Sequence, residues 1–229
     1  FMPRYGCINE RKNQLHEVIR LSGMNIIIGD VDRPLIIKVA SISSARIQVY
    51  FIDNDDYFRR KQITFDTDGK FFEDNGQRAI FFARGVLETV KKLRWAPDVI
   101  HCQGWISHLV PLYLKKVYNG DPIFSGSKIV TSLYNEIAGE GFSPSFKDNT
   151  LFGGVKAADV SLLDNPTGIN LAETAALYSD GIIFGDKDID PELVKFCQDK
   201  NIPTLPFNEE SIASGRYIEE YDEFYQQLQ

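Results

Sequence analysis

The sequence is poor in residues and patterns that define several common kinds of site. It contains three cysteines, three histidines and two methionines in 229 residues. Cys7, Cys102 and Cys197 are widely separated and form no CxxC pair, so the sequence indicates neither a zinc site nor a disulfide framework. This cysteine usage favours a reducing, cytoplasmic setting.

Long apolar runs and phosphate-binding glycine motifs are also missing. No stretch is long and apolar enough to span a bilayer, and no secretory signal pattern is present. The glycine-rich segment 138–158 contains neither GxGxxG nor GxxxxGK, so it supports no phosphate loop. The sequence therefore predicts no cofactor and no metal ion. It leaves this segment as either a mobile loop or a loosely packed helical insertion.

Positive charge is in the minority. The sequence has 25 Lys and Arg residues against 32 Asp and Glu residues, a net charge of -7. This balance disfavours a phosphate backbone or an anionic membrane surface as partner, so we expect neither nucleic acid nor membrane binding. The length allows one large domain or two small ones, and the composition leaves the oligomeric state open.

Strands alternating with helices are the main pattern that is present. The clearest helix is predicted over residues 77–94, where apolar residues recur at helical spacing, with Asp74 or Asn75 as its cap. A hairpin-like pair is predicted over 16–28, followed by a turn at 30–34. Further strands are predicted at 1–5, 35–40, 47–52, 99–100, 128–135, 181–185 and 202–205. This order predicts an α/β fold with a mostly parallel sheet flanked by helices and a β-hairpin insertion.

The stretch 97–118 carries the most informative candidates for a site. A buried strand ends near Ile100, Gly104 turns the chain, and apolar residues then follow at helical spacing. Ligands of α/β sheets bind beyond the carboxyl ends of the strands, where His101 and Trp105 fall. His101 is either a ligand contact or a hydrogen-bonded structural histidine. Trp105 either stacks on a sugar or belongs to the core.

A second polar group follows the strand 47–52. Asp53, Asn54, Asp55 and Asp56 have side chains that suit a cation or a sugar. The same residue types also form Asx turns and helix caps that need no ligand, and we favour that interpretation.

Five motifs in one order resemble the N-terminal half of bacterial glycogen and starch synthases, retaining glycosyltransferases that move glucose from ADP-glucose to a glucan. The similar segments are MPRYG at 2–6, VYFIDN at 49–54 with Tyr57 and Phe58, DN at 74–75 with Arg78, PDVIH at 97–101 with Trp105 and Leu109, and KIVTSLYN at 128–135. Each motif is modest alone, and the shared order makes the resemblance specific.

The resemblance implies a Rossmann-like fold for residues 1–229, as a single N-terminal-type domain of a two-domain glycosyltransferase. Because Phe1 falls inside a strand of that domain, we expect an upstream strand and helix in the native protein. Within the similar motifs, Asp53, Asp74 and Arg78 are expected to be structural, as a turn residue, a cap and a helix-face charge.

Departures from the family pattern bear on activity. The family's H-D-W-H motif supplies an Asp and a His to the active-site cleft, and these positions are Gly104 and Ile106 here, with Gln103 in place of the preceding His. The family's His against the transferred glucose falls on Tyr134. The family's C-terminal domain, which holds the nucleotide-sugar, has no counterpart in the sequence. No catalytic residue is therefore assigned.

The resemblance implies ADP-glucose or an α-glucan as ligand, with His101, Trp105, Tyr134 and Asn135 lining the ligand face. It predicts a glycosyltransferase domain that is inactive alone and that a partner chain carrying the C-terminal domain would complete. The alternatives are a non-catalytic glucan-binding or protein-interaction module, and a structural relic that assembles through its exposed tail helix.

Overall fold

The computed structural model describes residues 1–228, and it divides into two compact units, Phe1–Arg94 and Trp95–Gln229. Each unit contains its own β-sheet. Within the described residues, no helix combines the length and apolar character needed to cross a membrane.

The first unit is built on a mainly antiparallel sheet. Its strands are β1 (Met2–Pro3), β2 (His16–Glu17), β3 (Met24–Ile28), β4 (Val31–Ile42) and β5 (Ile47–Asp53). The hydrogen-bonded order is β1-β5-β4-β2, and β3 also pairs with β4. Only β1 runs parallel to its neighbour, β5, among the pairs of this sheet in the described chain.

The predicted pairing of this region is partly wrong. β2 and β3 do not pair with each other, because each lies antiparallel to the long strand β4. The predicted turn at 30–34 lies mostly inside β4, where its polar side chains lie at the more exposed end of the strand. β4 is not buried on both faces, since Leu35, Ile37 and Val39 point inward and alternate with more exposed residues. One-sided burial is the usual state of an antiparallel sheet.

The predicted long helix of the first unit is confirmed as α2 (Asn75–Leu93), which follows the short helix α1 (Asp55–Phe58). Asp74 occupies the position before α2 but makes no capping hydrogen bond. Its carboxylate instead accepts from Arg60 at 2.6 Å. Gly85 in mid-helix allows close packing on the sheet, because a Cβ there would lie 3.1 Å from the side chains of Leu35 and Ile52.

The second unit contains the predicted parallel sheet. Its strands, in hydrogen-bonded order, are β6 (Val99–Gln103), β7 (Lys128–Leu133), β8 (Gly181–Phe184) and β9 (Thr204–Leu205). All three neighbouring pairs are parallel. Its α-helices are α3 (Val110–Lys116), α4 (Phe146–Thr150), α5 (Gly168–Leu177), α6 (Pro191–Asp199), α7 (Glu209–Ser214) and α8 (Tyr217–Gln227).

Helices cover both faces of this sheet. On one face, Ile182 of β8 belongs to a core cluster with residues of α5 and α6. On the other face, Ile183 packs with Phe224 of α8. Adjacent residues of a strand point to opposite faces, so a strand buried on both sides reads as a continuous apolar run. The parallel sheet flanked by helices is thus confirmed for this unit.

Two predicted segments of the second unit differ in detail. The helix expected after Gly104 is a 3-10 turn (Trp105–Ser107) followed by α3. Pro111 has no N–H to donate to the carbonyl four residues earlier, so it favours a new helix start near its own position. Residues 138–158 include α4 and the beginning of a 3-10 helix (Ala157–Asp164). In α8 of the same unit, Ile218 is 64% exposed.

Candidate sugar-binding site

The candidate site is the carboxyl edge of the parallel sheet, formed by residues 103–105, 134–136 and 185–188. These residues follow or end the neighbouring strands β6, β7 and β8. Parallel strands end on the same side of a sheet, so their following loops converge there. We call these three segments the carboxyl edge.

Gly104 shapes the first of these loops. It has φ 76° and ψ 151°, a conformation that favours glycine. A Cβ at Gly104 would lie 3.6 and 3.8 Å from the two carboxylate oxygens of Glu136, so the glycine leaves that carboxylate close to the turn. Burial raises the pKa of Glu136, the backbone N–H of Trp105 lowers it, and Asp186 raises it further. The carboxylate of Asp186 thus makes ionisation of the Glu136 carboxyl less favourable at this edge.

Asn135 ties the loop after β7 to the loop after β8. Its backbone N–H donates to Asp186 Oδ2 at 2.8 Å, and its side-chain amide donates to the carbonyl of Asp188. Its Oδ1 accepts from the backbone N–H of Asp190 at 3.1 Å. Asn135 remains exposed, so the same residue both orders the edge and faces solvent.

Tyr134 is partly buried beside the loop after β8. A Cβ on Gly185 would lie 2.2 Å from Cε1 of Tyr134, so this ring position depends on the glycine. Burial raises the pKa of the Tyr134 phenol, while a hydrogen bond with Ser132 lowers it. The phenol stays protonated at neutral pH and is available to donate or accept hydrogen bonds.

His101 has hydroxyl partners for both ring nitrogens. Nε2 lies 2.7 Å from Ser132 Oγ, and Nδ1 lies 2.7 Å from the Tyr225 hydroxyl. The centroids of the Tyr221 and Tyr225 rings lie 5.8 Å from that of His101. Burial lowers the pKa of His101 to about 4, so the imidazole is neutral at pH 7.

Trp105 and its neighbours face the protein interior. Trp105 is 4% exposed, and its ring lies 6.3 Å from that of Phe142. Ile106 is buried, as is His108. Burial lowers the pKa of His108 to about 4, so it too is neutral at pH 7.

The structure thus brings Tyr134 and Asn135 together at the carboxyl edge, and it holds His101 and Trp105 by internal contacts. Their roles as ligand contacts stay predictions. Glu136 and Asp186 were not predicted as site residues, although each follows a predicted strand within a few residues. Within residues 1–228, no three His, Cys, Asp or Glu side chains are grouped closely enough to hold a metal ion.

The acidic group of the first unit has structural partners. Asn54 caps α1, because its side-chain oxygen accepts from the backbone N–H groups of Asp56 and Tyr57. Asp53 is 2% exposed and is not a turn residue. Its two carboxylate oxygens lie 3.0 Å from Arg4 Nη2 and Lys38 Nζ.

Arg78 is fully buried and is not a surface charge of its helix. Its Nη1 donates to the Ile63 carbonyl at 2.7 Å and to Asn75 Oδ1 at 2.6 Å. Within the described chain, Nε and Nη2 have no hydrogen-bond partner. Burial lowers the pKa of Arg78 to about 10. The guanidinium carbon lies 5.3 to 5.7 Å from the ring centroids of Phe58, Phe72 and Tyr5.

A parallel sheet covered on both faces, with polar groups at its carboxyl edge, defines an α/β protein of the kind that binds ligands at strand ends. Comparison with known proteins makes the assignment specific. The sequence model of the family described as the starch synthase catalytic domain matches residues 1–198. The chain therefore belongs to the starch synthase catalytic domain family, as the five motifs predicted.

Glycogen synthases are among its similar relatives. The chain is 34% identical over 206 residues to glycogen synthase from Chlorobium limicola, covering 82% of this chain and 40% of that protein. It is 41% identical over 135 residues to glycogen synthase from Chlorobium phaeobacteroides, covering 58% and 28% respectively. The chain thus spans about two fifths or less of the length of these relatives.

A solved structure shares the fold. It is the catalytic domain of starch synthase IV from Arabidopsis thaliana bound to ADP and acarbose, with a TM-score of 0.66 and 15% sequence identity. The match covers 90% of this chain and 43% of that chain. The chain therefore has the family of a starch synthase catalytic domain and shares the fold of this solved structure.

Proposed function

We propose that these 229 residues bind an α-glucan at the carboxyl edge and do not transfer glucose on their own. The proposal combines the family with the chemistry of the exposed side chains. Glucans are the products named in the glycogen synthase relatives, and acarbose is the saccharide-like ligand named for the starch synthase structure. Sugars are recognised by hydrogen bonds to hydroxyl groups and by aromatic contact with their C–H faces.

Two acidic side chains at the carboxyl edge, Glu136 and Asp186, are the observation that carries the choice of ligand. A Cβ on Gly104 would lie 3.6 Å from the nearer carboxylate oxygen of Glu136, and Asp186 Oδ2 accepts from the backbone N–H of Asn135 at 2.8 Å. These acidic side chains repel a second negative charge, so they disfavour the diphosphate of ADP-glucose. A neutral glucan has no such penalty, and its hydroxyl groups can donate to carboxylates. Tyr134 and Asn135 add a phenol and an amide to the same edge.

Three positions support the lack of transfer by this chain alone. Where the resemblance implies an Asp and two His residues, the chain has Gly104, Ile106 and Tyr134. The imidazole of His101 is occupied by Ser132 and Tyr225. Sugar transfer needs polar groups arranged around the developing charge of the transition state. We therefore propose that a second protein part, such as a partner chain with the C-terminal domain, is required.

A cytoplasmic setting belongs to the same proposal. Cys7, Cys102 and Cys197 are all free thiols in the structure. Free, widely spaced cysteines are typical of proteins from reducing compartments.

Calorimetric titration with maltoheptaose, and separately with ADP-glucose, tests the proposed ligand. We expect maltoheptaose to bind and ADP-glucose not to bind, and we expect no transfer of labelled glucose. Glu136→Gln should weaken maltoheptaose binding about fivefold, because a charged hydrogen bond becomes a neutral one. The matched control is Glu223→Gln, which changes an exposed residue of α8 and should leave binding unchanged.

Two results would contradict the proposal. Glucose transfer by the 229-residue chain alone would show that the substituted positions are not decisive. Binding of ADP-glucose without maltoheptaose would show that the acidic edge does not select a neutral ligand.

A further inference from the structure

A concave surface of the second unit is lined mostly by residues that follow the family match at 1–198. It is a shallow depression that is open to solvent. It lies where β8 and β9 end, and α7 and α8 border it. We call it the tyrosine depression, and its lining includes Phe184, Phe207, Asn208, Tyr217, Glu220 and Tyr221.

Aromatic rings dominate one part of this depression. Tyr217 and Tyr221 are one helical turn apart on α8, and their ring centroids lie 5.4 Å apart at an angle of 75°. Both residues are partly exposed, as is Phe207. A partly exposed ring that is fixed by a neighbouring ring offers a ready surface for stacking.

Polar groups border these rings and are held in place by internal bonds. Glu220 Oε1 accepts from the Ser211 hydroxyl, with the Asn208 side-chain nitrogen 3.5 Å away. The Oδ1 of Asn208 accepts from the Ser211 backbone N–H at 3.1 Å. A carboxylate can accept about four hydrogen bonds, so Glu220 retains capacity for further donors.

The tyrosine depression also adjoins the carboxyl edge. The Tyr221 ring lies 5.8 Å from the His101 ring, between centroids. Burial raises the pKa of the Tyr221 phenol, and the nearby Tyr134 raises the same pKa by a smaller amount. One extended ligand could therefore follow the edge from Glu136 toward Tyr217.

We propose that the tyrosine depression is a second subsite for the α-glucan, binding one glucosyl unit. The C–H face of the sugar stacks on the ring of Tyr217, which Tyr221 holds edge to face, and the sugar hydroxyl groups donate to Glu220. The ligand class rests on the proposed function of the carboxyl edge. The residues proposed to contact the sugar, Tyr217, Glu220 and Tyr221, lie outside the family match.

Maltoheptaose titration of the 229-residue chain and its variants tests this subsite. Tyr217→Ala removes one stacking ring and should weaken binding about tenfold, as expected for losing one aromatic face. Tyr217→Phe retains the ring and should remain within about twofold of the parent. The matched control is Tyr50→Ala, since Tyr50 is a partly exposed tyrosine of the first unit that stacks on Phe1.

The variants separate this inference from the proposed function. Weakening by Tyr217→Ala, with Tyr217→Phe near the parent, supports the subsite. Unchanged affinity in Tyr217→Ala, together with weakening by Glu136→Gln, overturns the subsite and leaves the carboxyl edge. Weakening by Tyr217→Ala with unchanged affinity in Glu136→Gln supports the subsite and overturns glucan binding at the carboxyl edge. If the parent chain does not bind maltoheptaose, both proposals are overturned. Urea unfolding of each variant confirms that the fold is intact.

Discussion

Residues 1–94 and residues 95–228 bury different kinds of polar side chain. The first unit buries charged groups, namely Arg4, Asp53 and Arg78, whereas the buried polar residues of the second unit are serines, threonines and one histidine. The pKa of that histidine, His108, is about 4, so it is neutral at pH 7. The interior of the first unit is therefore charged and that of the second is neutral.

This difference shows two ways of holding motifs that are distant in the chain. In the first unit, the Arg4–Asp53 ion pair joins the MPRYG and VYFIDN motifs. In the second unit, Ser132 and Tyr225 hold His101 through hydroxyl groups. A buried ion pair is costly to break because the remaining charge stays unpaired, whereas a neutral hydrogen bond contributes less. The following predictions test this contrast, from the largest effect to the smallest.

Asp53→Ala should destabilise the protein by about 3 to 5 kcal/mol, because Arg4 and Lys38 lose their buried carboxylate. Urea unfolding measures this change. The matched control is Asp56→Ala, which removes a 62% exposed side chain that pairs with Arg33 and should cost less than about 1 kcal/mol. Equal effects of the two variants would show that the buried pairs do not stabilise the first unit.

Acidification should destabilise the second unit through its neutral histidines. The pKa values of His101 and His108 are about 4, below the ordinary value of 6.5. The unfolded chain therefore binds more protons between these values, and stability falls as the pH falls from about 6.5 to about 4. Each histidine accounts for a loss on the order of 3 kcal/mol.

Urea unfolding at pH 7 and pH 4 measures this loss in His101→Gln and in the parent. His101→Gln should lose less stability on acidification, because one titrating group is gone. His16→Gln, at an exposed histidine of the first unit, is the control. The prediction is wrong if His101→Gln and the parent lose the same amount.

Gly185→Ala should destabilise the protein by about 1 to 3 kcal/mol, because its Cβ would overlap the Tyr134 ring. Displacement of that ring should also weaken maltoheptaose binding. The control is Gly120→Ala, where a Cβ meets no atom within 4 Å. Unfolding and titration of both variants give the comparison, and unchanged binding in Gly185→Ala would remove Tyr134 from the proposed glucan site.

Tyr225→Phe should have the smallest effect, about 1 kcal/mol, because it removes one neutral hydrogen bond to His101 and retains the ring. Urea unfolding detects this loss. The control is Tyr50→Phe, which removes the hydroxyl group that donates an exposed hydrogen bond to Gln48. A loss as large as that of Asp53→Ala would contradict the contrast between a neutral and a charged interior.

The sequence predicted the elements better than the pairing between them. Apolar spacing was sufficient for α2, and the alternation of strands and helices was sufficient for the parallel sheet of the second unit. The pairing of β2 and β3 with β4 was missed, because adjacent strands separated by a turn signal suggested a hairpin. Strand pairing depends on contacts between distant residues, which local patterns do not contain.

Only part of the candidate site was predicted, because contacts between distant residues are not contained in local sequence patterns. The rule that ligands bind at strand ends located Tyr134 and Asn135 at the edge of the sheet. Glu136 was missed because its place beside Gly104 depends on the packing of two loops. Likewise, Asn54 was predicted as a cap from its local pattern, whereas the ion pairs of Asp53 required strands from across the sheet.

The sequence by itself determined the family, the α/β class and the positions where a ligand edge forms, because ordered motifs and apolar periodicity are local properties. Only the tertiary structure decided which polar side chains are buried and what they contact. It placed Arg78 in the interior, turned the imidazole of His101 toward Ser132 and Tyr225, and set Glu136 beside Gly104. Burial and hydrogen bonding between distant residues arise when the chain packs, and they set the charge and accessibility of each group.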